Sequence, residues 1–329
     1  MGQRANLIVI EGGRAEIFYT HWRANTLTTD LFWGPKYGVT LARAQERAGP
    51  ADLLDEVWAE AGALIDLDQE SLLLFGGEDL RCDVPLRRLY LRLLAHAWSG
   101  WRICWAYEGV CDIADRLDIP RAHVLVEPES APPVRLTCAA KCKCPFVQTV
   151  ASLTRVRGEM LLVPAPCRPQ EYLIAGPDIL NVDESNTVAV YRPVPAFPTG
   201  GGFHIDEAQR SIEVWNAGDA PHLMTRVSAA WPDWNVTWYQ DHFEFQIART
   251  NGRFDVALAT RDELIRRLRE SLLYQDRVGA VDRFLQITEL LAKQGEKITA
   301  INPHALREAR LTLPVEERTK IIDAAFAAL

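Results

Sequence analysis

Two octapeptides, WSGWRICW at 98–105 and WPDWNVTW at 231–238, share the spacing Trp-x2-Trp-x3-Trp. Six of the ten tryptophans lie in them: Trp98, Trp101 and Trp105, then Trp231, Trp234 and Trp238. Each triad follows an alanine, Ala97 or Ala230, and carries an apolar residue at the same place, Ile103 or Val236. A rare, bulky residue recurring at fixed spacing is the mark of a repeated supersecondary unit, because each repeat must fill the same core position. Upstream, residues 62–80 and 202–220 align with a shift of 140, which pairs Asp66 with Asp206, Ser71 with Ser211, Phe75 with Trp215 and Asp79 with Asp219. The triads align with a shift of 133, so the second stretch is seven residues shorter between the two landmarks. That is about two helical turns, a deletion that leaves a helix its buried face.

Local patterns give the repeated unit a shape. Residues 63–67 and 71–75 are short apolar runs around Asp68-Gln69-Glu70, which predicts a hairpin closed by Gly76-Gly77. Leu86, Leu89, Tyr90, Leu93, Leu94 and Ala97 then fall on one helical stripe, and Trp101, Ile103 and Trp105 alternate as in a strand. The expected fold is α+β: duplicated hairpin–helix–strand (ββαβ) units on mainly antiparallel sheet, with a C-terminal helical segment. The tryptophans are read as core residues of both units. The N-terminus offers a further hairpin around Gly12-Gly13, followed by helices near 36–48 and 51–60.

The chain divides by composition into four stretches. Residues 1–127 form an N-terminal α+β domain holding the first repeat, and 128–199 a proline-rich bridge with short strands at 146–149, 160–163 and 187–191. Residues 200–255 hold the second repeat and 256–329 the C-terminal helices. The linker is expected at 127–133. Thr260 with Glu263 reads as a capping box, and Asn302-Pro303 and Pro314 as helix starts.

Charge and targeting signals bound the function. The net charge of −8 and the interleaving of Arg266, Arg267 and Arg269 with Asp262, Glu263 and Glu270 argue against nucleic-acid binding. No apolar run approaches a membrane span, so no membrane partner is expected. The N-terminal apolar stretch 7–10 is too short for a signal peptide, which points to the cytoplasm and to seven reduced cysteines. No phosphate-binding glycine loop occurs, so no nucleotide cofactor is expected.

Three groups of residues carry chemistry on paper. The block 19–35 holds His21, Trp22, Trp33 and Asp30; His21 with Asp30 is a candidate orienting pair for a general base in a hydrolase, and Trp22 and Trp33 are candidate binding residues. Cys138, Cys142 and Cys144, with Cys167 or His123 as a fourth donor, are candidate zinc ligands or a thiol site. His204 and Asp206 share a strand face. No known catalytic signature is present, so the leading expectation is a non-enzymatic protein that binds another protein through its acidic surface or its helical tail. The hydrolase and the zinc or thiol site stay open as alternatives.

Overall fold

The chain starts with the predicted hairpin, β1 (Ala5–Glu11) and β2 (Arg14–Thr20), and continues into two short helices, α1 (Leu27–Leu31) and α2 (Pro35–Arg43). A short strand β3 (Glu46–Ala48) precedes the second hairpin, β4 (Ala61–Asp66) and β5 (Ser71–Phe75). Helix α3 (Val84–Ala97), strand β6 (Arg102–Trp105) and helix α4 (Val110–Arg116) complete this region. In this computed structural model residues 2–126, 134–141, 146–193, 200–274, 279–296, 301–309, 311 and 313–329 are described. The linker expected at 127–133 lies outside them.

A similar order of elements returns further along, with a 3-10 turn at Gly176–Leu180 in place of α2 and no strand matching β3 among the described residues. Hairpin β7 (Thr149–Thr154) and β8 (Met160–Ala165) leads to helix α5 (Pro169–Leu173), then hairpin β9 (Gly201–Asp206) and β10 (Ser211–Asn216). Helix α6 (Leu223–Ala230), strand β11 (Asn235–Trp238) and helix α7 (Glu244–Arg249) follow. The C-terminal region is helical: α8 (Arg261–Leu273), α9 (Ala280–Lys293) and α10 (Val315–Ala327), with a 3-10 turn at Pro303–Leu306. Thr260 caps α8 by accepting the Glu263 amide. Of the strands expected in the proline-rich stretch, 160–163 lies within β8, 146–149 forms a strand only from Thr149, and 187–191 contributes a single bridge from Tyr191 to Phe254. The acidic helix expected at 51–60 is replaced by a 3-10 turn at Pro50–Asp52 and a further turn pinned by Asp55.

The chain groups into two compact units. The first contains Met1–Leu80, Leu86–Val126 and Thr260–Leu329, so the C-terminal helices belong with the N-terminal sheet; the second contains Arg81–Pro85 and Glu127–Ala259. The first sheet runs β3-β2-β1-β4-β5-β6 and the second β11-β10-β9-β7-β8. Each is an α+β arrangement on a mixed sheet. Hairpins pair antiparallel, whereas β1 with β4, β5 with β6, β7 with β9 and β10 with β11 are parallel. The parallel pairs arise because a helix carries the chain back across the sheet before it adds a strand. Pro164 sits in β8, an edge strand, where its missing N–H leaves no ladder bond unmade.

The two sheets match in detail. Glu60 and Ala61 amides both bond the Arg4 carbonyl, and Gly200 and Gly201 amides both bond the Gln148 carbonyl. Asp66 caps the turn after β4 by accepting the Asp68 and Gln69 amides, and Asp206 accepts the Gln209 amide after β9. Trp98 and Trp231 are fully buried; the indole of one donates to Leu31 O at 2.7 Å and that of the other to Leu173 O at 2.6 Å. Trp98 meets Trp101 edge-on with centroids 5.0 Å apart, and Trp231 meets Trp234 likewise at 4.9 Å. A Leu-x2-Gly-Pro segment recurs after α1 and α5, at Leu31–Pro35 and Leu173–Pro177. Its glycines, Gly34 and Gly176, have φ of +94° and +73°, and a Cβ there would lie 3.2 and 3.0 Å from the carbonyls of Ala97 and Ala230. Only glycine suits both demands.

The cores diverge where the backbones agree. In the first sheet Phe75 and Ile113 close over Gly62; in the second Trp215 and Gln246 close over Gly202. Gln246 is buried and fully engaged: its Oε1 accepts the Trp215 indole at 2.7 Å, and its Nε2 donates to Val150 O, Ser152 Oγ and Phe203 O. Only the first tryptophan of each triad is fully buried, while Trp101 and Trp234 are partly exposed. Removing a buried donor strands its partner carbonyl, at about 1–3 kcal/mol. Trp98→Phe and Trp231→Phe are therefore each expected to lower urea-unfolding stability by that amount, and Trp101→Phe and Trp234→Phe by clearly less. Equal costs at all four positions would contradict the assigned roles.

Candidate functional site

The first unit opens into a cleft of about 1430 Å³ walled by the segment after β2 and by the C-terminal helices. Local sequence explains its floor. Helix α1 is too short to be stable alone, since isolated helices need about 12 residues or more. Helix α3 holds it at two carbonyls: Tyr90 OH donates to Thr28 O and Trp98 Nε1 to Leu31 O, both at 2.7 Å. This sets Asp30 and Trp33 at the cleft.

The segment after β2 also fastens the C-terminal region. Trp22 Nε1 donates to Ala305 O at 3.0 Å, Arg23 Nη2 to Ala309 O at 2.5 Å and Tyr37 OH to Leu311 O at 2.6 Å. Arg318, on α10, donates to the carbonyls of Leu272 and Tyr274, and its guanidinium lies over the Trp33 ring, 4.8 Å from the centroid. Stacked on an indole, a guanidinium keeps its edges for hydrogen bonds.

Charge in the floor is only partly balanced. Asp30 Oδ2 accepts from Arg23 Nη1 at 3.0 Å and from Thr26 Oγ1 at 2.9 Å. Burial raises the Asp30 pKa, and the attraction of Arg23 and the Thr26 hydroxyl offset this only in part. Arg23 and Arg318 are themselves buried, at 8% and 7% exposure, and the Nε of each has no hydrogen-bond partner. Burial also lowers the Arg318 pKa. The rim carries acids that already have partners: Glu60 accepts the Arg4 amide, Glu78 the Asn25 amide group, and Glu270 pairs with Arg266.

The other wall is apolar. Helix α9 contains no fully buried residue. It turns Ala280, Phe284 and Ile287 to the cleft, and Phe284 meets the Trp22 ring at 5.8 Å. Leu290 and Leu291 extend the stripe one turn further and stay exposed, Leu290 by 55%.

The residues singled out by sequence fall as follows. Trp22, Asp30 and Trp33 line the cleft. His21 lines a separate, smaller hollow with Tyr19, Glu46 and His304, and its Nδ1 lies 2.7 Å from Tyr19 OH. His21 and Asp30 thus open onto different hollows, each beside other partners. Cys138 is buried in the second unit's core and Cys167 packs against that core. Cys142 and Cys144 lie outside the described residues. Among the described residues no three His, Cys, Asp or Glu side chains gather as metal ligands. His204 is buried in the second sheet, 3.0 Å from Ser152 Oγ, and burial lowers its pKa. Arg318 and Tyr37 carried no sequence signal. Arg318 follows Glu316 and Glu317 and precedes Lys320, which reads as a solvated helix face.

No protein-family model matches the chain, no curated protein resembles it in sequence, and no solved structure matches its fold. Among the described residues no helix is long and apolar enough to cross a membrane.

The raised pKa of Asp30 has a definite sign. The folded state binds a proton more tightly than the unfolded chain, so this group's contribution to stability falls as pH rises from the usual carboxylate range through the folded pKa. Asp30→Asn is expected to remove that fall: urea stability of the wild type, taken relative to the variant, should decline with rising pH across this window. A difference that grows with pH would contradict the assignment.

Proposed function

We propose that the chain is a non-enzymatic protein-binding protein, made of two divergent copies of one hairpin–helix–hairpin–helix–strand–helix unit, with the cleft of the first as its binding surface. The reading of two copies is supported by the shared strand pairing, the shared tryptophan-to-carbonyl bonds and the recurrent Leu-x2-Gly-Pro segments. The C-terminal helices group with the first unit alone, so the surface they create has no counterpart in the second.

One observation carries the binding reading: an open cleft lined by seven aromatic residues and flanked by an amphipathic helix with an exposed apolar stripe. Small-molecule pockets run to about 300–1,000 Å³ and enclose their ligand. At about 1430 Å³ and open to solvent, this cleft suits a segment of another protein better. Aromatic and arginine side chains dominate its floor, the residue types that supply most energy in protein interfaces. The acidic chain would be soluble and would associate faster with a partner of opposite overall charge. The compartment consistent with this reading is the cytoplasm.

Native mass spectrometry of the untagged chain, purified from its own cells, tests this. A second protein is expected on the 37.0 kDa chain. Ile287→Glu with Leu290→Glu, both at exposed positions, is expected to release it while leaving the melting temperature within a few degrees. A bare chain under all conditions, or a partner retained by the double variant, would refute the assignment of the cleft.

A further inference from the structure

The floor of the cleft holds two buried guanidinium groups, Arg23 and Arg318, beside one partly buried carboxylate, Asp30. A buried charge is tolerated when it is paired and hydrogen-bonded, and costly when it is not. Arg23 is half provided for, with Asp30 on one nitrogen and Ala309 O on another. Among the described residues no carboxylate bonds to Arg318, which donates to two backbone carbonyls and lies over the face of Trp33. The Nε of each arginine makes no hydrogen bond, although an unmade bond to a buried charged donor is among the more expensive omissions in a folded protein. Both arginines line the cleft, so the missing acceptor can arrive from it.

We propose, building on the reading of the cleft as a protein-binding surface, that this floor is the anchor for an Asp or Glu side chain on the partner segment. Guanidinium groups are the natural partner of a carboxylate, through charge-assisted and often bidentate bonds. The partner's acid would supply the acceptor that Arg318 lacks, with a small local rearrangement opening its edge. The residues flanking that acid are apolar, because they run along Phe284 and Ile287 toward Leu290. The stripe lies on a helix of 14 residues, about 21 Å long, which accommodates a segment passing through the cleft. The chain's net charge of −8 and the acids on the rim would hold off generally acidic partners. The floor therefore selects one acid in an otherwise apolar or basic context.

The test is panning of a phage-displayed library of random 12-residue peptides against the full-length chain. The best binders are then made as free peptides with amidated ends. The expected result is a set of binders that share an Asp or Glu flanked by Leu, Ile or Phe. Changing that acid to its amide should weaken binding at least about tenfold, the scale of one charged hydrogen bond. Arg318→Met should erase the difference between the acid and amide peptides. The peptide change leaves the protein untouched, so the result stands even if the arginine variant folds poorly. Binders that lack an acid, or that bind equally well as amides, would overturn the carboxylate anchor. If such binders were still lost on Ile287→Glu, the cleft would stand as the binding surface and only the anchor would fall. If no peptide were enriched, or none responded to Ile287→Glu, both would fall.

Discussion

Everything at the cleft depends on one buried hydrogen bond, from the indole of Trp98 to the carbonyl of Leu31. It stops a five-residue helix from fraying and fixes where the chain turns at Gly34. Asp30 and Trp33 sit on either side of that carbonyl, so their positions follow from it. Tyr90 adds a second point at Thr28, one turn earlier on α1. Arg318 then stacks on Trp33, and Tyr37, seven residues after Asp30, ties down Leu311. A core contact is thereby transmitted, bond by bond, to the surface that would meet a partner.

The second unit has a bond like the first of these. Trp231 holds Leu173 as Trp98 holds Leu31, but Leu223 stands where Tyr90 stands in the first unit. Its buried polar residues face inward instead: Gln246 bonds Trp215, Ser152 and two carbonyls in the sheet. Arg81 pairs with Asp219 at 2.5 Å at the edge of the same unit. These bonds tie the buried polar groups of the second unit into its own sheet and edge. The two units differ in that the C-terminal helices group with the first.

Much of this architecture is written in local pattern, and the rest depends on long-range pairing. The 66/206 turn acids are legible because each caps the turn that follows it, and the tryptophan triads because their spacing recurs, whereas the distant carbonyls of Leu31 and Leu173 that Trp98 and Trp231 hold are not. The Leu-x2-Gly-Pro recurrence was equally available, at a shift of 142, and marks the end of the short helix in both units. The parallel joining of one hairpin to the next was not legible, since each strand alone reads the same in either direction. Nor was the return of the C-terminal helices to the first unit, because their apolar faces are modest and α9 buries none of its residues fully. In the cleft, Trp22, Asp30 and Trp33 stood out by type, whereas Arg318 is disguised by charged neighbours. Its burial becomes visible only with Trp33 beneath it.

The most direct measurement places a photo-crosslinking amino acid at Ile287, on the cleft wall, and in a parallel sample at Tyr239, exposed on the second unit. Irradiation in the native cells should give a covalent adduct with another protein from position 287 and none from position 239. Adducts from 239 alone, or from neither position, would contradict the claim that the cleft of the first unit is where this protein meets its partner.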